Sequence, residues 1–167
     1  MGTRSEIWVI DSEGRVELYK HNDGYPDYMI PFFRRLANWA ANKVKDGVRL
    51  LGYKEEVAAM MIAYDFITAE VDLNSFGPNP MGVWPDIRPR GTIDDLIEYV
   101  YVFKVKEEGN KVIWDIRGYE VPSSMWGKIE RGKVRGLKEV RARLRLEIYN
   151  DGWINRVLVL EEDYEKL

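Results

Sequence analysis

The chain has no cysteine, no glutamine and a single histidine, His21, among its 167 residues. Without cysteine there are no disulfides and no thiolate metal sites, which excludes a small disulfide-stapled secreted domain. One histidine excludes a histidine-built metal centre, so any metal would have to be held by carboxylates; neither a metal nor another cofactor is expected. Long apolar runs are also missing, since none approaches the ~20 residues needed to cross a bilayer. The opening residues, MGTRSEIWVID, hold no apolar segment of signal-peptide type. Glu6 stands where an N-myristoylation signal needs Ser or Thr. Together these absences predict a cytoplasmic protein with no membrane partner. The lack of Cys and Gln beside 25 Lys+Arg and 28 Asp+Glu is the pattern expected of a hyperthermophile, where thermolabile side chains are avoided and ion pairs cost less to desolvate.

What is present suits one domain with a sizeable core, since 46% of the residues are hydrophobic. The net charge of −3 conceals an uneven distribution. Residues 1–125 carry 15 basic and 20 acidic side chains, a net of −5. Residues 126–146 carry 8 against 2, a net of +6, and residues 147–167 carry 2 against 6, a net of −4.

Periodicity orders the chain. EIWVID and VELYKH are strand-like runs around Ser12-Glu13-Gly14-Arg15, which predicts a hairpin over about residues 6–21. From Asp27 the period becomes helical: Met29, Phe33, Leu36, Ala37, Ala40 and Val44 share a face, Pro31 suits a first turn, and Gly47 suits a stop. A second helix is expected from Lys54 to about Ala69, with Val57, Met60, Met61, Tyr64 and Ile67 facing the core. The Pro- and Gly-rich stretch from Val71 to Gly91 reads as a long loop packed along the surface. Residues 97–106 and 111–121 alternate about Gly109-Asn110, the signature of a second hairpin. A third is expected around Asn150-Asp151-Gly152, although Leu137, Val140, Leu144 and Ile148 also fit a helix. The fold class that follows is α+β: a single antiparallel sheet of hairpins (ββ-αα-ββ) with two helices packed on one face. Residues 1–121 form the core domain. Residues 122–167 form a basic C-terminal extension with a β-hairpin, packed on that core.

The stretch Tyr19-Lys-His-Asn-Asp-Gly-Tyr-Pro26 lies at the seam between the first hairpin and the first helix. It resembles the opening of a family of small uncharacterised proteins of bacteria, phages and plasmids, which enter a helix after a Tyr-(Lys/Arg)-His-x-Asp-Gly-Tyr-Pro run. Ile97-Glu98-Tyr99-Val100-Tyr101 is similar to a later strand of the same family, so the resemblance covers about residues 6–121. It implies the fold and no activity, because none is established for that family. From the residues themselves, Asp23, Gly24, Tyr25 and Pro26 are turn punctuation at a strand-to-helix corner. His21 with Asp23 is the one candidate catalytic pair, a general base and its orienting carboxylate, but it has no nucleophile beside it. Packing and turn bonding are the favoured roles.

Other constellations are thinner. Asp65, Glu70 and Asp72 could hold Mg²⁺, yet match no metal motif and read as an acidic helix end. Ser123-Ser124 lacks the glycines of a nucleophile elbow, and no phosphate loop or dinucleotide fingerprint occurs. The basic block is the richer signal: Lys128, Lys133, Arg135, Arg141, Arg143 and Arg145, together with Arg131 and Lys138, with Trp126 before them and Tyr149 and Trp153 after. On a strand, Arg141, Arg143 and Arg145 project from one face at about 6.6 Å intervals, near the phosphate repeat of a single nucleic-acid strand, with aromatics for stacking. The alternative is pairing with the acidic tail or with body carboxylates. Six Trp and ten Tyr exceed what one small core usually absorbs and point to a protein partner or homodimer. The expected function is a non-catalytic interaction or regulatory module. A nucleic-acid-binding protein using residues 128–145 is the alternative, and a hydrolase built on His21 and Asp23 is a third reading.

Overall fold

The computed structural model describes residues 3–76, 86–91 and 96–159, and of these the side chains of 69–76, 141, 142 and 155–159 are left out of account. Among these described residues the fold is α+β, with two helices and a seven-stranded, mostly antiparallel sheet. In chain order the elements are β1 (Ser5–Ile10), β2 (Arg15–Lys20), α1 (Pro26–Lys45), α2 (Lys54–Phe76), β3 (Ile87–Pro89), β4 (Tyr99–Glu108), β5 (Lys111–Glu120), β6 (Lys138–Tyr149) and β7 (Ile154–Val159). Across the sheet they lie in the order β3-β2-β1-β4-β5-β6-β7.

All three expected hairpins form, at β1–β2, β4–β5 and β6–β7. The sheet is nevertheless mixed and not the single antiparallel one expected, because β1 and β4 run parallel, Ser5 opposite Tyr99 through Ile10 opposite Lys104. After α2 the chain first adds β3 outside β2 and only then returns to the far side of β1. A return of that kind is a crossover, and crossover-linked strands can pair in parallel where hairpin-linked strands cannot. β3 is a second departure, since it lies within the stretch read as loop. Its residues carry little periodic signal, and Asp65 on α2 fixes them from outside by accepting the amides of Asp86 and Ile87.

Helix α1 starts earlier than the sequence suggests. Tyr25 is the N-cap and Pro26 the first helical residue. Pro31 therefore falls inside the helix, where it forgoes one backbone bond. In α2, Val57, Ala58, Met61 and Asp65 turn inward, while Ile67 is exposed.

Two apolar clusters follow from the strand alternation. The larger joins Phe33, Leu36 and Val44 of α1 and Val57 and Met61 of α2 to strand residues including Ile7, Val9, Tyr101, Phe103, Trp114 and Leu144. Phe33 meets the rings of Tyr101 and Phe103 at 5.6 and 5.5 Å, and Phe103 meets Trp114 at 5.1 Å. Such edge-on pairs add about 0.5–1.5 kcal/mol each beyond their buried area. The smaller cluster uses the alternate strand residues Trp8, Tyr19, Val100 and Val102. The connection from Val121 to Leu137 covers them with Val121, Met125, Ile129 and Leu137. This connection is a strap, fastened by Arg131, whose guanidinium forks onto the buried carboxylate of Glu6 at 3.1 and 2.6 Å.

Candidate functional site

The seam motif is bonded throughout as a corner. His21 Nδ1 lies 2.6 Å from the Tyr19 hydroxyl. Asp23 takes a left-handed conformation, φ 54°, and accepts the Tyr25 hydroxyl at 3.2 Å. The nearby Asp23 carboxylate holds the Tyr25 phenol above its ordinary value. Gly24 donates to the Thr3 carbonyl at 2.8 Å and accepts the buried Tyr101 hydroxyl at 2.6 Å. A Cβ built on Gly24 would stand 2.6 Å from Ser5 Oγ and 2.8 Å from the Thr3 carbonyl oxygen. Gly24→Ala should therefore cost about 1–3 kcal/mol, the usual range for an overpacked site. A urea titration that leaves the midpoint unmoved would contradict this.

Beside the corner, Lys20 is buried with Asp86, Nζ to Oδ2 3.1 Å, and lies over the Tyr28 ring. Asp65 lies in the same patch and spends its carboxylate on two amides. Among the described residues no group of three or more His, Asp or Glu is placed to hold a metal, and none of the helices is long and apolar enough to cross a membrane.

The basic block divides. Arg131 is committed to Glu6, and Lys133 pairs with Glu130 at 2.8 Å. Arg143 forks onto Asp115 at 3.2 and 3.5 Å, and Arg145 reaches Glu147 at 3.8 Å. Lys128 and Arg135 are exposed on the strap with no ion pair among the described residues. Trp126 donates its indole N–H to the Val121 carbonyl. Arg141 stands two residues before Arg143 on β6, and Glu161 and Glu162, its possible partners in the tail, lie outside the described residues.

Arg143 and Arg145 meet residues the sequence did not single out. Pairing across the sheet places Lys104 opposite Asp115 and Asp115 opposite Arg145; one row along, Val102 is opposite Arg117 and Arg117 opposite Arg143. Adjacent strands lie about 4.8 Å apart, so these side chains form a close array around one carboxylate. Asp115 takes Arg143 and also Arg117, whose Nε is 3.7 Å away. Lys104 is exposed and has no ion pair among the described residues. Tyr119 lies at the array's edge. Burial pushes its phenol up, with Glu139 adding to the rise and Arg117 and Arg143 opposing it.

Two adjoining hollows open here and share Ile10, Lys104 and Asp115. The smaller, about 210 Å³, lies against the strap at Gly132 and Val134, with Val102, Arg117 and Tyr119 on its floor. The larger, about 760 Å³, extends past the end of β1 to Tyr53, Ile113 and Arg145. It exists because β1 stops at Ile10 while β4 continues to Glu108. On its rim Asp11 is firmly held. Burial pushes its carboxyl up, but the Glu13 and Lys54 amides and the Lys54 ammonium outweigh that and keep it below its ordinary value.

No family model, curated protein or solved structure matches this chain.

Proposed function

We propose that the protein is a non-catalytic binding module and that the open half of its sheet engages an anionic partner. In this reading the two helices form one layer over the face of the larger cluster. The strap covers part of the opposite face and leaves the remainder for binding. The observation that carries it is the accessible array in which Lys104 and Arg117 line the smaller hollow with Asp115 and Arg143 forks onto that carboxylate from the next strand. His21, by contrast, is bonded to a neighbouring tyrosine at a packed corner. A nucleic-acid partner is the second reading, and it draws on exposed Lys128 and Arg135 of the strap and Lys138 at the start of β6.

The test compares wild type with the double substitution Lys104→Glu, Arg117→Glu and with His21→Ala. Each is titrated with a single-stranded oligonucleotide, an acidic peptide and small organic anions. Binding of at least one anion should be lost in the double variant and kept in His21→Ala. If nucleic acid is the partner through the strap, affinity should instead fall with salt at a log–log slope of about −2 for three phosphate contacts, and replacing the strap cations should abolish it. An assayed hydrolytic activity that drops about a hundredfold in His21→Ala, the scale of a general base, would replace the binding reading with an enzymatic one.

A further inference from the structure

We propose that the two hollows together form a site for an organic phosphate monoester, with the dianionic head in the smaller hollow and the apolar body in the larger. The inference rests on the binding-face reading above and specifies its ligand.

Charge matching comes first. Among the described residues, Asp115 is the one carboxylate lining the smaller hollow, beside Lys104 and Arg117. Arg143 forks onto it from outside that lining, and Glu139 lies opposite Tyr119 at the edge, so Lys104 and Arg117 remain as two positive charges at the hollow. The neighbouring cations already have carboxylate partners, Arg15 and Arg90 sharing Glu17 and Arg145 and Lys111 sharing Glu147. A phosphate monoester carries about −1.5 to −2 charge near neutral pH and offers three strong acceptor oxygens. A carboxylate or a sulfate ester carries one negative charge and would leave one cation unmatched. Arg117 presents planar donors suited to such oxygens, and Lys104 adds a mobile point charge. Arg143 stays on Asp115 and keeps that carboxylate from competing.

Size and lining divide the ligand in two. At about 210 Å³ the smaller hollow is below the range of roughly 300–1,000 Å³ that holds drug-sized ligands, yet it is roomy for one phosphoryl group. The larger, about 760 Å³, lies within that range and offers Ile10, Ile113 and the half-exposed ring of Tyr53 to an apolar body. It is also lined by five carboxylates, Asp11, Glu13, Glu107, Glu108 and Asp115, against three cations. Further phosphates of a polynucleotide or polyphosphate running out of the head site would meet that acidic wall. One phosphate on an apolar body avoids it.

Phenyl phosphate, phenyl sulfate and inorganic phosphate titrated calorimetrically into the full chain test this. Phenyl phosphate should bind at least tenfold more tightly than either of the others. Lys104→Ala and Arg117→Ala should each weaken it tenfold or more. Tyr53→Ala should weaken phenyl phosphate while leaving inorganic phosphate unchanged. All three side chains are at least partly exposed, and a melting curve on each variant verifies that it is folded. Equal affinity for phenyl phosphate and phenyl sulfate, or phenyl phosphate binding that survives both cation substitutions, overturns the proposal. The oligonucleotide and acidic-peptide titrations of the charge-reversed double variant separate the two levels. If those ligands respond to the reversal and phenyl phosphate does not, the binding face stands and the phosphate site falls. If nothing responds, both fall.

Discussion

Arg131→Ala should destabilise the protein by about 3–5 kcal/mol, the cost of breaking a buried ion pair by removing one partner. Glu6 is fully buried on β1 and accepts the Arg131 guanidinium at two points and the Trp8 indole at 3.1 Å, while Arg90 Nε stands 3.5 Å away as an ion-pair contact without a hydrogen bond. Without Arg131 the carboxylate keeps only a neutral donor and the longer contact to Arg90. Desolvation of the charge then exceeds what those two return. The same substitution unfastens the strap at its middle, next to Gly132 and Val134 of the smaller hollow. Arg131→Ala should therefore also weaken any ligand held there. Urea unfolding measures the first effect. The double variant Glu6→Leu, Arg131→Met checks its cause, because replacing both partners with apolar groups of similar volume is often neutral. A single variant that loses under ~1 kcal/mol, or a double variant as unstable as the single, would contradict this account.

The same pair shows which parts of the molecule were legible in the sequence. Hairpin registers were within reach: the two-residue turn at Gly109-Asn110 by itself sets Lys104 opposite Asp115 and Val102 opposite Arg117. Half of the candidate site could have been written down from that turn. The other half could not, because Arg143 and Arg145 join β5 through a strap whose length sets no register. The parallel pairing of β1 with β4 was hidden for the same reason, since local turn chemistry has no bearing on which edge a returning chain selects. Arg131 looked like one more member of a basic run, and only the fold brings it to Glu6, 125 residues earlier. At the corner, Asp23, Gly24 and Tyr25 were readable as a turn, while the reason for glycine at position 24 is the close approach of the Ser5 side chain and the Thr3 carbonyl. The second helix was misjudged at Ile67 because α2 is apolar on several sides, which leaves periodicity little contrast with which to choose the buried face.

Asp65→Ala should cost about 2–6 kcal/mol, because two buried amides lose their acceptor together at about 1–3 kcal/mol each. Both bonds go to one oxygen: Oδ2 accepts from Asp86 N at 2.7 Å and Ile87 N at 2.8 Å. These contacts tie the start of β3 to α2. They also place Asp86, which in turn holds Lys20 Nζ at 3.1 Å and the Asn22 amide at 2.7 Å. Asp65→Asn keeps a carbonyl oxygen in the same place and should cost much less than Asp65→Ala. The pH dependence distinguishes the charge from the hydrogen bonds. Burial pushes the Asp65 carboxyl above its ordinary 3.8, the two amides and Lys20 pull it back, and Asp86 adds to the rise, for a net upward shift. A carboxyl with a raised pKa in the folded state binds its proton more tightly there than in the unfolded chain. Its contribution to stability is therefore greatest below pH 3.8, falls as the pH climbs through the raised value, and is constant above it. Asparagine has no proton to lose, so Asp65→Asn should gain on wild type across that window and keep the gain at neutral pH. Urea midpoints for wild type, Asp65→Asn and Asp65→Ala at several pH values from acid to neutral measure both effects. If Asp65→Asn is as damaging as Asp65→Ala at neutral pH, the negative charge beside Lys20 holds β3 in place and the pair of amide bonds does not.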